Sequence, residues 1–388
     1  MKRIAIGLLM CSMVAMGGQA FSLEQSQVNN TKYSAKINTV SSSKYNKKVG
    51  NVNFQTDVIV QKNHEDKPIL NTTATLQELN RNKALDIFFN GIKVKGKIEY
   101  ENKNEKGQSS KDIRYLADCK DGETWLSVGP GLSGFCFQRT SLSNHILHSF
   151  HLEDRDERYN AHKYSLKREF EFATREQAFN DIKDKLSQMG INIENEYKAY
   201  ALDYETMKKE EYAMGIDGNE DRSVYKDSWT KDDNCYYFVI NQRYDHLPVY
   251  HLYGDMSTRK EDSTSPIKVL YTKDGIDRID IEKMFTFNNE GKEVDILPFD
   301  KITDNIVAQL KKEEVYREKE VLYRVKKSEL NYMVDKASDL GSCKVKPVWI
   351  VDIDLCNKNG ELEGIQQMVI DAEKGTQVDY TLQMLYKE

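Results

Sequence analysis

The stretch KPVWIVDIDL, residues 346–355, ends in VDIDL, which alternates apolar and polar side chains with the period of two that is typical of a β-strand. Four apolar side chains fall on one face of such a strand: Trp349, Val351, Ile353 and Leu355. The carboxylates of Asp352 and Asp354 project from the other face, where a pair can serve acid–base chemistry. Glycosidase carboxylates usually come from different elements that face each other across a cleft. We therefore favour a solvated strand face over a catalytic pair.

A helix precedes this strand and a hairpin follows it. The helix is predicted in FDKITDNIVAQLKKEE, residues 299–314, where Ile302, Ile306 and Leu310 share one face. The hairpin is predicted in IQQMVIDAEKGTQVDY, residues 365–380, where Gly375 ends a four-residue loop that needs a left-handed residue.

The same order of elements occurs earlier in the chain. Thr174 and Gln177 form a capping box that begins a helix, and Gly190 suits its C-cap. Its apolar stripe consists of Phe179, Ile182, Leu186 and Met189. The strands CYYFVINQ and IKVLYTKDGIDRIDI follow. We interpret the two copies as modules at residues 166–290 and 291–388.

A different pattern precedes the first module. VNFQTDVIV, residues 52–60, alternates as a half-buried strand, and a short helix is predicted around residues 76–89. DIRYLADC, TWLSV and FCFQRT are separated by turn residues, which predicts an antiparallel meander. These elements predict a small α+β domain at residues 51–145. The expected fold class is α+β, with this domain followed by the two modules.

The C-terminal pattern resembles the PepSY-type module of bacterial secreted proteins, in which a helix packs on an antiparallel sheet. The match is carried by Ile370, Asp371, Ala372 and Gly375. VNFQTDVIV, REQAFNDIKDKLSQMGI, HLPVY, ILPFDKI, KPVWIVDID and VIDAEKG together resemble an uncharacterised family, a domain of unknown function, of exported proteins and lipoproteins of Gram-positive bacteria. The resemblance implies a fold and a location, and it implies no catalytic residues.

The N-terminus has the features of a signal peptide, residues 1–20. Lys2 and Arg3 precede the apolar run IAIGLLMCSMVAM, which is too short for a membrane span. Small residues before Phe21 predict cleavage after Ala20. Cys11 is preceded by Met10 rather than by the small residue that lipoprotein processing requires, so we favour cleavage over lipidation. Residues 21–50 are rich in Ser, Asn and Lys, which predicts a flexible tether. No other segment approaches a membrane span in length, so we expect an extracellular or cell-envelope location.

Charge excludes one class of partner. The formal net charge of −6 falls by two, to −8, when Lys2 and Arg3 are removed. An acidic chain without a basic face is not expected to bind nucleic acid. The glycine-rich GPGLSG, residues 129–134, precedes a strand-like segment rather than a helix, so it predicts a turn and not a dinucleotide site. We expect no cofactor.

His145, His148 and His151 form an H-x-x-H-x-x-H pattern at the start of a predicted linker, residues 146–165. On a helix, successive members of this pattern advance by about 300°, so His145 and His151 diverge. On a strand, His148 faces away from the other two. Helical zinc sites prefer histidines four residues apart. A solvated linker is favoured over a metal site, although a loop could still wrap a zinc ion with help from Glu153, Asp154 or Asp156.

Two functional hypotheses remain open from the sequence. The leading one is a non-enzymatic binding or accessory protein of the cell envelope, whose partner is a protein or peptide outside the cell. The alternative is an extracellular hydrolase that uses Asp352 and Asp354, or a metal at the histidine-rich stretch. An enzyme should gather these groups in one cleft.

Overall fold

The strand that contains KPVWIVDIDL extends from Cys343 to Cys356 and belongs to a mainly β fold. The structure is a computed structural model, and it describes residues 39–62, 68–77, 80–90, 92–103, 109–119, 122–128, 135–152, 159–215, 218–250, 266–281, 284–312, 321–335 and 342–378. The predicted signal peptide, Cys11 and the cleavage site between Ala20 and Phe21 lie outside these residues, as does GPGLSG.

The strands, in chain order, are β1 (Thr39–Val49), β2 (Val52–Lys62), β3 (Leu70–Leu76), β4 (Gly96–Lys103), β5 (Ser109–Cys119), β6 (Gly122–Val128), β7 (Phe135–Gln138), β8 (Lys198–Leu202), β9 (Cys235–Ile240), β10 (Arg243–Tyr244), β11 (Leu247–Tyr250), β12 (Ile267–Thr272), β13 (Gly275–Ile281), β14 (Phe285–Phe287), β15 (Lys292–Glu293), β16 (Leu322–Asp335), β17 (Cys343–Cys356) and β18 (Leu362–Asp371). The α-helices are α1 (Arg81–Phe88), α2 (Leu142–Ser149), α3 (Arg175–Gln188), α4 (Tyr204–Glu210) and α5 (Phe299–Leu310).

The described strands form two sheets, one of ten strands and one of eight. The ten-stranded sheet has the central order β1-β2-β16-β17-β3-β14, and β18 pairs with β17. β2 and β16 are parallel, with Phe54 opposite Val325, although more than half of the chain lies between them. β3 pairs antiparallel with the start of β17. Strands from both ends of the chain therefore build this sheet.

The eight-stranded sheet has the order β4-β5-β6-β7-β13-β12-β9-β8. Its neighbouring strands are antiparallel throughout. The predicted meander is present as β5, β6 and β7. It continues into β13 through pairs such as Phe137 with Ile279.

Helix α5 packs its apolar stripe on the ten-stranded sheet, and α3 packs its stripe on one face of the eight-stranded sheet. In α5, Ile302, Ile306 and Leu310 are fully buried and pack in a core that includes the apolar face of β17. In α3, Ile182 and Leu186 are fully buried against the eight-stranded sheet. The sequence periodicity of both helices thus identified their buried faces.

The opposite face of the eight-stranded sheet positions the site described below. Leu202, Tyr237 and Val239 are buried there against Ile146 of α2 and Phe150 just after it. Because side chains alternate along a strand, α2 and α3 lie on opposite faces of this sheet.

The predicted α+β architecture, a small N-terminal domain followed by two PepSY-like modules of a helix on a sheet, is wrong. The strands predicted for the N-terminal domain are divided between the two large sheets. β2 and β3 join the sheet of β16 and β17, and β5, β6 and β7 join that of β13. The order helix–strands–hairpin does occur twice, but neither copy is a separate module, because strands from residues 39–138 complete both sheets.

Candidate functional site

Helix α2 contains two of the three histidines singled out in the sequence, and it occupies the start of the stretch predicted as a linker. The hydroxyl of Thr140 accepts a hydrogen bond from the backbone N–H of Leu142 at 3.2 Å, and it donates to the carboxylate of Asp277 at 2.9 Å. Ile146 faces the sheet and is fully buried. The start of α2 is therefore fixed by a turn that is tied to β13.

The C-terminal end of α2 is held equally firmly. The backbone N–H of Tyr212 donates to the carbonyl of His148 at 2.9 Å. The Asn160 amide and the Tyr164 hydroxyl donate to the carbonyl of Ser149 at 2.8 and 2.7 Å. These donors satisfy carbonyls that a helix end leaves without intrahelical partners.

A surface pocket of about 420 Å³ lies along α2. Six residues line it: Ser141, Asn144, His145, Leu147, His148 and Val224. Its volume falls within the range of about 300–1,000 Å³ that is usual for ligand pockets. The pocket thus combines hydroxyl, amide and imidazole groups with two aliphatic side chains.

The two imidazole rings of the pocket lie next to each other. The ring centroids of His145 and His148 are 6.4 Å apart, and the ring planes are perpendicular. The Nδ1 atom of each ring is buried and makes no hydrogen bond. Nε2 is therefore the nitrogen of each ring that can meet a ligand.

Glu211, immediately after α4, lies behind His145. One of its carboxylate oxygens is 3.6 Å from Nδ1 of His145 and accepts a hydrogen bond from the backbone N–H of Lys226 at 2.8 Å. The other oxygen accepts from the indole N–H of Trp229 at 2.7 Å. The buried carboxylate is thus anchored by two donors and placed beside the imidazole.

The pKa of His148 is lowered from its ordinary value of 6.5. Burial is the largest cause, because it disfavours the charged ring, and the neighbouring His145 acts in the same direction. The negative charge of Glu211 opposes both effects. The surroundings of His148 therefore favour the neutral form of its ring.

The third histidine of the motif is not part of the pocket. His151 follows the end of α2, and its Nε2 lies 3.2 Å from the backbone carbonyl of His148. Among the described residues, no three His, Cys, Asp or Glu side chains are grouped so that they could hold a metal ion. Residues 153–158, which supply further acidic groups in the sequence, lie outside those residues.

Asp352 and Asp354 lie on β17, in the ten-stranded sheet, and neither lines the pocket. The Gln367 amide donates to Asp352 at 2.8 Å. The ammonium group of Lys326 is 3.1 Å from Asp354, which is only 7% exposed. Both carboxylates project from the face opposite Trp349, as predicted, but Asp354 is buried rather than solvated.

Sequence reasoning missed Glu211, whose carboxylate lies 3.6 Å from Nδ1 of His145. It follows Glu210 in a charged run, KKEEY, whose composition resembles that of any exposed helix end. Only the packing of α4 against α2 brings it to His145. No local signal distinguishes it from Glu210, which instead pairs with Lys163.

The fold resembles that of an uncharacterized protein from Eubacterium rectale, known from a crystal structure at 1.45 Å resolution. The TM-score is 0.56 and the sequence identity is 14%, over 84% of this chain and 90% of that chain. At this identity the likeness concerns the fold alone. No family model and no curated protein matches the sequence. Within the described residues, no helix has the length and apolar character needed to cross a membrane.

Proposed function

We propose that this chain is an exported, cell-envelope-associated binding or accessory protein that engages a protein or peptide partner at the pocket on α2. The observation that carries the proposal is the composition of that pocket. Hydrogen-bonding groups on Ser141, Asn144, His145 and His148 line it together with the aliphatic side chains of Leu147, on α2, and Val224, which comes from another segment of the chain. Polar groups that fix orientation and apolar groups that bury ligand surface are the usual parts of a recognition site.

The anchoring of α2 supports binding, because a site on a rigid element loses less conformational entropy when its ligand docks. Both ends of the helix are hydrogen-bonded to other parts of the chain, at Thr140 and at Ser149. Asn144 is exposed at the rim and Ile146 is buried beneath it. A partner would therefore meet a preformed surface.

The positions of the two carboxylates on β17 do not favour the alternative hypothesis of a hydrolase. Asp352 and Asp354 are already engaged by Gln367 and Lys326. They lie in the ten-stranded sheet, whereas His145 and His148 lie on α2, which packs against the eight-stranded sheet. The groups that an enzyme should gather in one cleft are thus kept apart.

Affinity capture tests the proposed function. The mature chain, residues 21–388, is immobilised and exposed to a solubilised envelope fraction of the native host. A partner should be retained by the wild-type protein and by an Asn180→Ala control, since Asn180 is exposed on α3, on the opposite face of the sheet. Retention should fall about tenfold or more in a His145→Ala, His148→Ala double variant, as for a binding hot spot.

Equal retention by a folded double variant would contradict the pocket as the binding site. Export is tested separately by intact mass of the protein that the native host secretes. We expect a chain that begins at Phe21 without lipid, and a diacylglycerol adduct on Cys11 would contradict the predicted processing.

A further inference from the structure

The position of the proton on each imidazole decides which ligand groups the pocket can accept. In His145, Nδ1 is buried 3.6 Å from the carboxylate of Glu211. A ring lone pair directed at a carboxylate is repelled, whereas an N–H is attracted. The proton of neutral His145 therefore lies on Nδ1, and its Nε2 offers the pocket a hydrogen-bond acceptor.

His148 has the opposite arrangement. Its Nδ1 is buried without a hydrogen-bond partner, and no carboxylate oxygen is paired with it among the described residues. A buried N–H without an acceptor is among the least tolerated polar groups in proteins. The proton of neutral His148 therefore lies on Nε2, which offers the pocket a donor.

The two rings thus present one acceptor and one donor to the same cavity. Ser141 and Asn144, which line the cavity with them, can each donate and accept. A carboxylate ligand carries acceptors only, so at His145 one acceptor would face another. An ammonium group carries donors only, so at His148 one donor would face another.

We propose that the pocket on α2 recognises a neutral amide, which means a peptide backbone unit or an Asn or Gln side chain of the partner. An amide carries one carbonyl acceptor for His148 and N–H donors for His145, and its aliphatic neighbours can contact Leu147 and Val224. This inference rests on the proposed function, since it names the chemical group that the binding site takes.

The tautomers can be observed directly in the free protein. Two-bond ¹H–¹⁵N correlation spectra of the ¹⁵N-labelled mature chain at pH 8 should show His145 as the Nδ1–H form and His148 as the Nε2–H form. The variants His145→Gln and His148→Gln assign the two signals. The exposed His162, which does not line the pocket, serves as internal reference. The same tautomer in both rings would overturn the inference.

Titration with N-acetylglycinamide and with acetate tests the ligand class. The amide should shift the signals of both pocket histidines, leave His162 unchanged, and bind about tenfold more tightly than acetate, because acetate leaves a buried polar atom unpaired. Acetate binding as tight as amide binding would overturn the inference, and so would the absence of any response to the amide. Neither of these results would change the outcome of the affinity capture. Failure of the amide inference can therefore be distinguished from failure of the proposed function.

Discussion

Glu211 fixes the polar side of the pocket, because its carboxylate accepts hydrogen bonds from Lys226 and Trp229 and faces His145. Replacing Glu211 with Ala would remove the acceptor of the buried Trp229 indole N–H and of the half-buried Lys226 backbone N–H. We expect the free energy of unfolding to fall by about 2–4 kcal/mol, measured by urea denaturation. Glu211→Gln should cost less, since its carbonyl can still accept one bond. Glu205→Ala, on the exposed side of α4, is the matched control. Glu211→Ala stability within about 0.5 kcal/mol of the control, the range of ordinary surface substitutions, would refute this role.

The lowered pKa of His148 predicts how stability depends on pH. Between the lowered pKa and the ordinary value of 6.5, the unfolded chain binds more protons at this residue than the folded chain does. Titration of His148 therefore leaves the free energy of unfolding unchanged above pH 6.5 and lowers it as the pH falls below 6.5. The loss of unfolding free energy between pH 7.5 and pH 5 should be smaller in His148→Gln than in the wild type. Equal losses in urea titrations across this range would contradict the shift.

At the scale of elements, α3 illustrates what its capping box contributes. The hydroxyl of Thr174 accepts a hydrogen bond from the N–H of Gln177, whose side chain accepts in turn from the N–H of Thr174. Thr174→Ala should lower the free energy of unfolding by about 1 kcal/mol. Ser187→Ala, on the exposed side of the same helix, should leave it nearly unchanged. Equal effects of the two substitutions in denaturant unfolding would show that the cap contributes nothing.

Local chemistry made several elements predictable from the sequence. Thr174, Gln177 and Gly190 mark the ends of α3 in the sequence, and Gly190 has the positive φ of 87° expected beyond a helix. The alternation in VNFQTDVIV correctly identified the buried side of β2, where Val52 and Phe54 are fully buried.

Pairing between distant strands was not predictable, because periodicity reports which face is buried but not which strand lies beside it. The register of Phe54 with Val325 joins segments far apart in the chain, and nothing in either segment specifies the other. The same limit applies to the pocket. The spacing of His145 and His148 was visible in the sequence, whereas Glu211 and Val224 reach them only through tertiary packing.

At the scale of the whole molecule, the interleaved topology predicts that the second half cannot fold alone. A fragment of residues 165–388 lacks β2, the parallel neighbour of β16, and β7, the neighbour of β13. It also lacks α2, which covers one face of the eight-stranded sheet. The loss of these elements would expose buried side chains on both sheets. We expect circular dichroism of this fragment to show no cooperative thermal transition, whereas the mature chain, residues 21–388, should melt cooperatively. A cooperative melt of the isolated fragment would contradict the shared sheets.

The central claim, that a partner docks on α2, is tested most directly by site-specific photocross-linking in the native host. The photoreactive p-benzoylphenylalanine is placed at Asn144, which is exposed at the pocket, or at Asn180, which is exposed on α3. Irradiation of intact cells should give an adduct of defined mass at position 144 and none at position 180. The adduct should disappear when His148→Ala is added. An adduct that persists in His148→Ala, equal adducts at both positions, or none at position 144 would contradict the account.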